Sequence, residues 1–340
     1  MEILPLTRGA EGGWDEYVAG SAKATFFHQL GWKRVVERTY GLKPAYLTAA
    51  EGGEIVGVLP LFLMESRVLG NRLISLPYAP YCGILANDSG VEQRIFGELK
   101  ALAGDLGARR IELRNLDLQD LEGSVDRSYF TLVLDLARDE ASLWAGLRKS
   151  MRRYVKKSME NKLEVIPSSG DARDFYTLYS RHMRDLGSPV HGYGFFRNIL
   201  GEFPSHARIA TVAVDDEPAA SIFLMKFRDT MIYGWGAASD GHLPLFPNYR
   251  LFWETITSCA GSGVRRFDFG RSTPDEGTYA FKAGWGAEPR QLYYQHYPAG
   301  SGHGEIRKTS LKRRVFTGIW KRVPLPLANA LGPSLRRKIS

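Results

Sequence analysis

GVRRFDFGR (263–271) decides the fold of this 340-residue chain, because GARRIELRN (107–115) repeats its design 156 residues earlier. Each opens on glycine, follows with two arginines, and then alternates apolar and acidic residues in the period-two pattern of a strand. Two further pairs keep nearly the same offset. EGGEIVGVLPLFLM (51–64) parallels VDDEPAASIFLMKF (214–227), with a shift of 163 at Glu54/Glu217 and 161 at Phe62-Leu63-Met64/Phe223-Leu224-Met225. EILPL (2–6) parallels EVIPS (164–168) at a shift of 162. Three matches at one offset read as two copies of one module.

Both copies carry the same order of elements. A strand (3–6; 163–166) leads into two helical stretches (14–18 and 31–39; 174–186 and 195–202). A hairpin follows, with Glu51-Gly52-Gly53 or Asp215-Asp216 as its turn. A strand then runs into a Gly/Pro-rich loop, a helix (92–104; 249–260) ends at glycine, and the quoted strand closes the copy. Hairpins mixed with helices predict an α/β (α+β) fold of tandem duplicated modules, each a mixed, mostly antiparallel sheet flanked by helices. Between the copies an insert reads as a strand (130–136) and one long helix from residue 140. The expected divisions are 1–127, 128–298 and a basic amphipathic tail, 299–340.

The formal charge of +8 is local. Ten Lys/Arg and no Asp/Glu lie from Arg307 to the end, and residues 1–306 sum to −2. The tail interleaves those cations with Val315, Phe316, Ile319, Trp320, Leu325 and Leu327, a composition suited to an anionic membrane face, to nucleic acid, or to packing on the body. The N-terminal MEILPLTRGAEGGWDEY lacks the basic-then-apolar order of a signal peptide, and the apolar run 55–64 is short for a span. The expected location is cytoplasmic, with peripheral contact at the cytoplasmic face of the inner membrane as the alternative the tail leaves open. Cys82 and Cys259 match no metal or redox spacing and are expected to pack.

The stretch FDFGRSTPDEGTYAFKAGWG (267–286) joins a buried strand to a polar loop. Phe267 and Phe269 point to one face and Asp268 to the other, as a catalytic acid or a structural hydrogen-bonding group. Gly270 lets the backbone turn, and Arg271 stands where a guanidinium grips a carboxylate or phosphate. Tyr279 lies three residues before Lys282, whose amine is bounded by Phe281 and Trp285. That lysine suits stabilisation of an oxyanion, or a surface pair with Asp275 or Glu276. In YGWGAASDGHLPLFPNYRLFWETI (233–256), Trp235 lies between bulge-prone glycines. Asn248 is an expected N-cap, leading the helix that carries Tyr249. In LRKSMRRYVKKSMENK (147–162), Arg148, Lys149, Arg152, Arg153, Lys156 and Lys157 recur at helical spacing opposite an apolar stripe, which reads as a solvated face or a phosphate-binding one. No HExxH, CxxC, GxSxG or GxxxxGKS occurs, and the seven histidines are scattered, so no metal is expected. His28 and His191, in loop-like settings, read as structural, hydrogen-bonded histidines or as substrate contacts.

Together with TFFHQLGWKRVVERTYG (25–41) and LPYAPYCGIL (76–85), these stretches resemble the FemAB-like branch of the acetyltransferase (GNAT) superfamily, in particular the FemAB-related proteins of exosortase and exopolysaccharide loci. The resemblance covers roughly residues 1–298. It implies two GNAT-like modules, with substrate in a cleft between or beside them. It also implies direct transfer of an acyl or aminoacyl group to an amine of an envelope precursor, without a covalent enzyme intermediate. Lys282 matches the family lysine for oxyanion or phosphate stabilisation, Arg271 the substrate-gripping arginine, and the basic helix the side of an anionic donor. Two departures leave the donor open between aminoacyl-tRNA and acyl-CoA. Residues 129–162 are too short for a helical-hairpin arm, and RVLGNR (67–72) matches a pyrophosphate loop only in part.

The expected activity is an N-acyltransferase acting on an anionic or lipid-linked cell-envelope or exopolysaccharide precursor. No cofactor is tightly bound; the acyl donor is a co-substrate. Asp268 and Lys282 are the catalytic candidates, and Arg271, Tyr279, Asn248, Tyr249, Trp235 and Trp285 are substrate-binding candidates. Arg148, Arg152, Arg153, Lys156 and Lys157 are assigned to donor phosphates, with tRNA among the expected partners. The competing readings are an acyl-CoA-dependent N- or O-acetyltransferase and a non-catalytic module that binds RNA or an anionic polymer. The first module is expected to be mainly a scaffold, because RNLDLQDLEGSV (114–125) lacks the lysine and aromatic groups of the second copy's loop.

Overall fold

The computed structural model describes all residues except 67–69, 137–138, 167–170, 299, 301–310 and 340, and no side chain at 311–313. Part of the partial pyrophosphate-loop match and the start of the basic tail thus lie outside the described residues. The chain forms two compact units: 1–129 with 291–313 and 337–340, and 130–290 with 314–336. The first contains β1 (Glu2–Pro5), α1 (Glu11–Gly20), α2 (Leu30–Tyr40), β2 (Lys43–Pro44), β3 (Leu47–Glu51), β4 (Glu54–Leu59), β5 (Phe62–Met64), β6 (Asn71–Ile74), β7 (Leu85–Ala86), α3 (Ser89–Asp105), β8 (Ala108–Asn115) and β9 (Ser124–Asp126). The second contains β10 (Phe130–Asp135), α4 (Glu140–Gly146), α5 (Lys149–Met159), β11 (Glu164–Ile166), α6 (Arg173–Asp185), α7 (Tyr193–Glu202), β12 (Ala207–Val214), β13 (Glu217–Phe227), β14 (Thr230–Ala238), α8 (Pro247–Gly261), β15 (Arg266–Ser272), α9 (Gly277–Gly284) and β16 (Glu288–Gln291). β17 (Tyr293–Tyr297), α10 (Leu311–Trp320) and α11 (Leu325–Arg336) complete the chain.

The second unit holds one seven-stranded sheet in the order β11-β12-β13-β14-β15-β10-β16. β11 with β12, β12 with β13, β13 with β14 and β10 with β15 pair antiparallel, whereas β14 and β15 pair in parallel and are connected by the α8 crossover. The first unit repeats the scheme, with α3 joining the parallel pair β6 and β8. There the counterpart of the long β13 is broken into β4 and β5 at Pro60, which has no N–H to give a ladder. The result is two sheets, β1-β3-β4-β7 and β2-β5-β6-β8-β17-β9. The two expected hairpin turns form with left-handed backbone at Gly52, Gly53, Asp215 and Asp216.

A strand exchange ties the copies together. β17, from beyond the second copy, is inserted between β8 and β9, and β10, from beyond the first, takes the same place between β15 and β16. Residues 291–298, grouped with the second module in the sequence reading, therefore sit in the sheet of the first unit. The expected long helix from 140 is also broken, into α4 and α5. Leu147 is extended, and the Arg148 N–H donates to the Gly284 carbonyl at 3.0 Å.

The sheet of the second unit is buried on both faces. Ile222 and Leu224 join Leu251, Phe252, Ile256, Phe267 and Phe269 in a core shared with α5 and α8. Phe223, between them in β13, faces the other way. Its ring meets Phe175 of α6, Phe196 of α7 and Trp235. α10 and α11 pack on that second side: Trp320 and Ala328 are buried, Asn329 donates to the Ser180 hydroxyl, and Arg336 Nε donates to His191 Nε2 at 3.1 Å.

Candidate active site

The site begins where two strands part. β14 and β15 pair only through Thr230–Ile232 and Arg266–Asp268. Beyond that, Gly234 is skipped in the register with β13, so β14 bulges. On the other strand Gly270 has φ +71°, and a Cβ there would lie 3.1 Å from the Tyr233 carbonyl oxygen. Glycine is required both by the left-handed backbone and by that close approach.

This local turn of the backbone is a bulge of β15 against β10, with the strand running on to Ser272, and it is locked by charged side chains. Asp268, 3% exposed, accepts hydrogen bonds from the Thr131 hydroxyl and, at 2.7 Å, from the Gly270 N–H. This holds the carboxylate as a clamp on the turn. Lys282 lies on α9 rather than in a loop, is 7% exposed, and donates from Nζ to the Gly270 carbonyl at 3.0 Å and the Arg271 carbonyl at 3.1 Å. Burial lowers its pKa to about 8, against the opposing pull of Asp268 and Glu276 and with a further push from Arg271. With that value the amine is still mainly charged at pH 7. No third partner of the ammonium occurs among the described residues. The Arg271 side chain is exposed at the strand end.

The glycines of AFKAGWG fit α9 against its neighbours. A Cβ at Gly284 would meet Met151 of α5 at 2.9 Å, and Gly286, at φ +84°, lies against the Gly146 carbonyl. Trp285 is buried, its ring 5.9 Å from Phe252 and 6.5 Å from Tyr249, and its indole N–H has no partner among the described residues. Tyr249 also contacts Phe281 at 5.7 Å and Tyr154 of α5 at 4.9 Å, so α5, α8 and α9 meet through one aromatic cluster. Tyr279, half-buried on α9, stands edge-on to Phe130.

α5 buries Met151, Val155 and Ser158 and turns its cations outward. Lys149, Arg152, Arg153, Lys156 and Lys157 line an open concavity of about 900 Å³ with Trp144, Ser150 and Glu160. None of these five cations has an ion pair among the described residues. Arg152 reaches the Ala145 carbonyl at 3.3 Å, Arg153 lies over the Tyr154 ring, and Lys157 over the Phe246 ring. Arg148 stands at the helix start with its side chain exposed, outside the concavity lining.

Two substrate-binding candidates are placed differently from expectation. Trp235 joins His191, Phe195, Phe196 and Phe223 on the far face of the sheet, because the Gly234 bulge re-aims the strand. Asn248 is not an N-cap. Pro247 takes the first helical position, where its missing N–H costs nothing, and the capping position falls to Phe246 at φ 59°. Thr131 and Phe246 were not singled out by the sequence. A lone hydroxyl in the apolar strand FTLVLD was the available signal for Thr131.

Both histidines are buried and hydrogen-bonded. His28 Nδ1 accepts from the Thr25 N–H, so Nε2–H donates to the Gly83 carbonyl at 3.2 Å, and burial lowers its pKa to about 4. Burial holds His191 neutral as well, reinforced by Arg336. Cys82 and Cys259 are buried thiols with raised pKa values. Among the described residues no group of His, Cys, Asp and Glu could hold a metal, and no helix is long and apolar enough to cross a membrane.

A family model described as an acetyltransferase (GNAT) domain matches residues 143–283, which include the parted strands, α5 and Lys282. No curated protein is significantly similar to the chain in sequence. Among solved structures, FemX is similar with a TM-score of 0.65 at 13% identity, over 86% of this chain and 97% of that one. A tandem GNAT protein from the clavulanic acid biosynthesis pathway gives 0.54 at 14%, over 87% and 97%. The C-terminal domain of a putative lysylphosphatidylglycerol synthetase from Agrobacterium fabrum gives 0.55 at 11%, over 84% and 91%. These likenesses are of fold, and the matched domain lies on the unit that carries the locked turn. The second unit therefore carries an acetyltransferase (GNAT) domain, and the chain as a whole shares the duplicated fold of FemX and the tandem GNAT protein.

Proposed function

We infer that the chain is an acyl- or aminoacyltransferase that forms an amide on an anionic or lipid-linked envelope precursor at the cytoplasmic face of the inner membrane. The second unit carries the chemistry and the first serves mainly as scaffold. The observation that carries this reading is Lys282: a buried ammonium held by two turn carbonyls at the point where β14 and β15 separate. The acceptor amine attacks the acyl carbonyl carbon, a C–N bond forms, and the carbonyl oxygen becomes an oxyanion. The free N–H of Lys282 stabilises that charge, and burial strengthens the interaction. Collapse breaks the ester bond to tRNA or the thioester bond to CoA. The amine proton passes to solvent or to the leaving group. Asp268 positions the turn, Arg271 grips the acceptor, and the cations of α5 take the phosphates of the donor. The similarity in fold to a putative lysylphosphatidylglycerol synthetase domain, a protein named for a lipid, supports a lipid-linked acceptor.

The test is transfer of label from acetyl-CoA and from a charged aminoacyl-tRNA pool into an inner-membrane extract, with the full chain and with Lys282→Ala. Loss of about 100-fold or more in the variant is expected; undiminished transfer refutes the assignment. The unpaired cations along α5 favour one second reading, a module that binds RNA or an anionic polymer without catalysis. That reading requires binding that Lys156→Glu with Lys157→Glu abolishes, with no transfer from either donor.

A further inference from the structure

Among the described residues, α10 is fixed to the second unit along one side. Thr317 abuts Gly187, where a Cβ would lie 2.4 Å from the threonine methyl, and Trp320 is buried. Another face carries Val315, Phe316 and Ile319, at spacings of one, three and four residues that place them together. They are 53%, 39% and 62% exposed. Leu186, next to Gly187 and so beside Thr317, is exposed as well. The apolar stripe therefore belongs to a docked helix, whose apolar complement is divided between the protein and the outside. Arg314, Lys321 and Arg322 bracket it, all exposed, within a segment that has ten Lys/Arg and no acid from Arg307 onward.

Each class of occupant meets this surface differently. A second copy using the same face would set these cations against their own duplicates. Nucleic acid would satisfy the cations and leave three aliphatic and aromatic side chains without bases placed to receive them. An anionic bilayer matches both features, because acyl chains receive the stripe and headgroup phosphates receive the cations. We propose that α10 is a membrane-docking helix that holds the second unit on an anionic lipid surface. For its purpose this rests on the reading of the acceptor as lipid-linked, but the binding itself needs no catalysis.

The experiment is co-sedimentation of the full chain with vesicles of phosphatidylcholine alone and of phosphatidylcholine with about 30% phosphatidylglycerol, each cation near the surface being worth about fivefold. Expected is binding to the anionic vesicles at least tenfold tighter than to the neutral ones, weakened by salt. Ile319→Glu, at an exposed position, should reduce it about tenfold or more, and Phe316→Glu should do the same. Lys282→Ala should bind as the parent does, so failure of the catalytic reading leaves this result untouched. The proposal is overturned by equal binding of Ile319→Glu and parent, or by no preference for anionic vesicles. It is equally overturned by a concentration-dependent dimer, or by RNA binding without vesicle binding, that Ile319→Glu removes.

Discussion

Titration of the full chain with carbon-13 in the lysine ε-carbons should reveal one resonance with a midpoint near pH 8, absent from Lys282→Met. The cause is burial of an ammonium whose nearest acceptors are two neutral carbonyls, at 3.0 and 3.1 Å. Asp268 and Glu276 pull the pKa upward and are outweighed. The gap between about 8 and the ordinary lysine value of 10.5 corresponds to about 3 kcal/mol of preference for the neutral amine in the folded chain. The sign for stability follows. Because the folded pKa lies below the unfolded one, the unfolded chain binds the extra proton between pH 8 and 10.5. The penalty is therefore fully present below pH 8 and is relieved as pH rises toward 10.5. Urea unfolding of parent and Lys282→Met at several pH values should show the parent gaining up to about 3 kcal/mol relative to the variant across that window. A Lys282 midpoint above 10, or a parent–variant difference that does not change with pH, refutes the argument that this amine is desolvated.

Three further outcomes follow from the same turn and its neighbours. Gly270→Ala should lower the urea midpoint by an amount equivalent to about 1–3 kcal/mol with an unchanged m value, because φ is +71° and a Cβ there crowds the Tyr233 carbonyl. Thr131→Val removes a hydroxyl donor to a buried carboxylate and should cost about 1–3 kcal/mol in the same measurement, while Thr131→Ser should restore most of it. Lys156→Glu with Lys157→Glu should weaken binding of tRNA or CoA, followed by calorimetry, about tenfold or more and flatten its salt dependence, with thermal stability unchanged because both side chains are exposed.

What could be read from sequence divides along physical lines. The duplication was visible because apolar spacing and turn chemistry are local, as at Gly52-Gly53 and Asp215-Asp216. The strand exchange was not: Leu132 and Leu134 mark β10 as a buried strand, and nothing in their spacing says which sheet receives it. The break before α5 depends on a bond from the Arg148 N–H to Gly284, more than a hundred residues away. The first position of α8 was legible, since Pro247 marks it, and Asn248 was favoured by its type instead. α9 was read as loop because the glycines of AFKAGWG resemble linkers, whereas Gly284 and Gly286 serve close packing.

The two copies also show why a lysine stands in one of them. Glu112 in β8 corresponds to Asp268 in β15, and Arg114 to Gly270. Burial alone would raise the Glu112 carboxyl, but Arg114, with His296 and Arg72, holds it below the usual range. The Arg114 guanidinium bonds Glu112 at 2.7 Å, donates to the Ala79 carbonyl, and lies over the Tyr294 ring, so the first unit neutralises its acid within the strand. The second unit has a glycine in place of that arginine. Its acid grips the Gly270 N–H instead, the strand turns, and the two carbonyls so exposed receive a cation from the following helix. A buried Glu–Arg pair of the first kind is a closed structural unit, with every charge satisfied. The second arrangement leaves an ammonium with a hydrogen to spare and a lowered pKa. Of two homologous solutions to burying one carboxylate, only the second leaves a charged group able to act on something else.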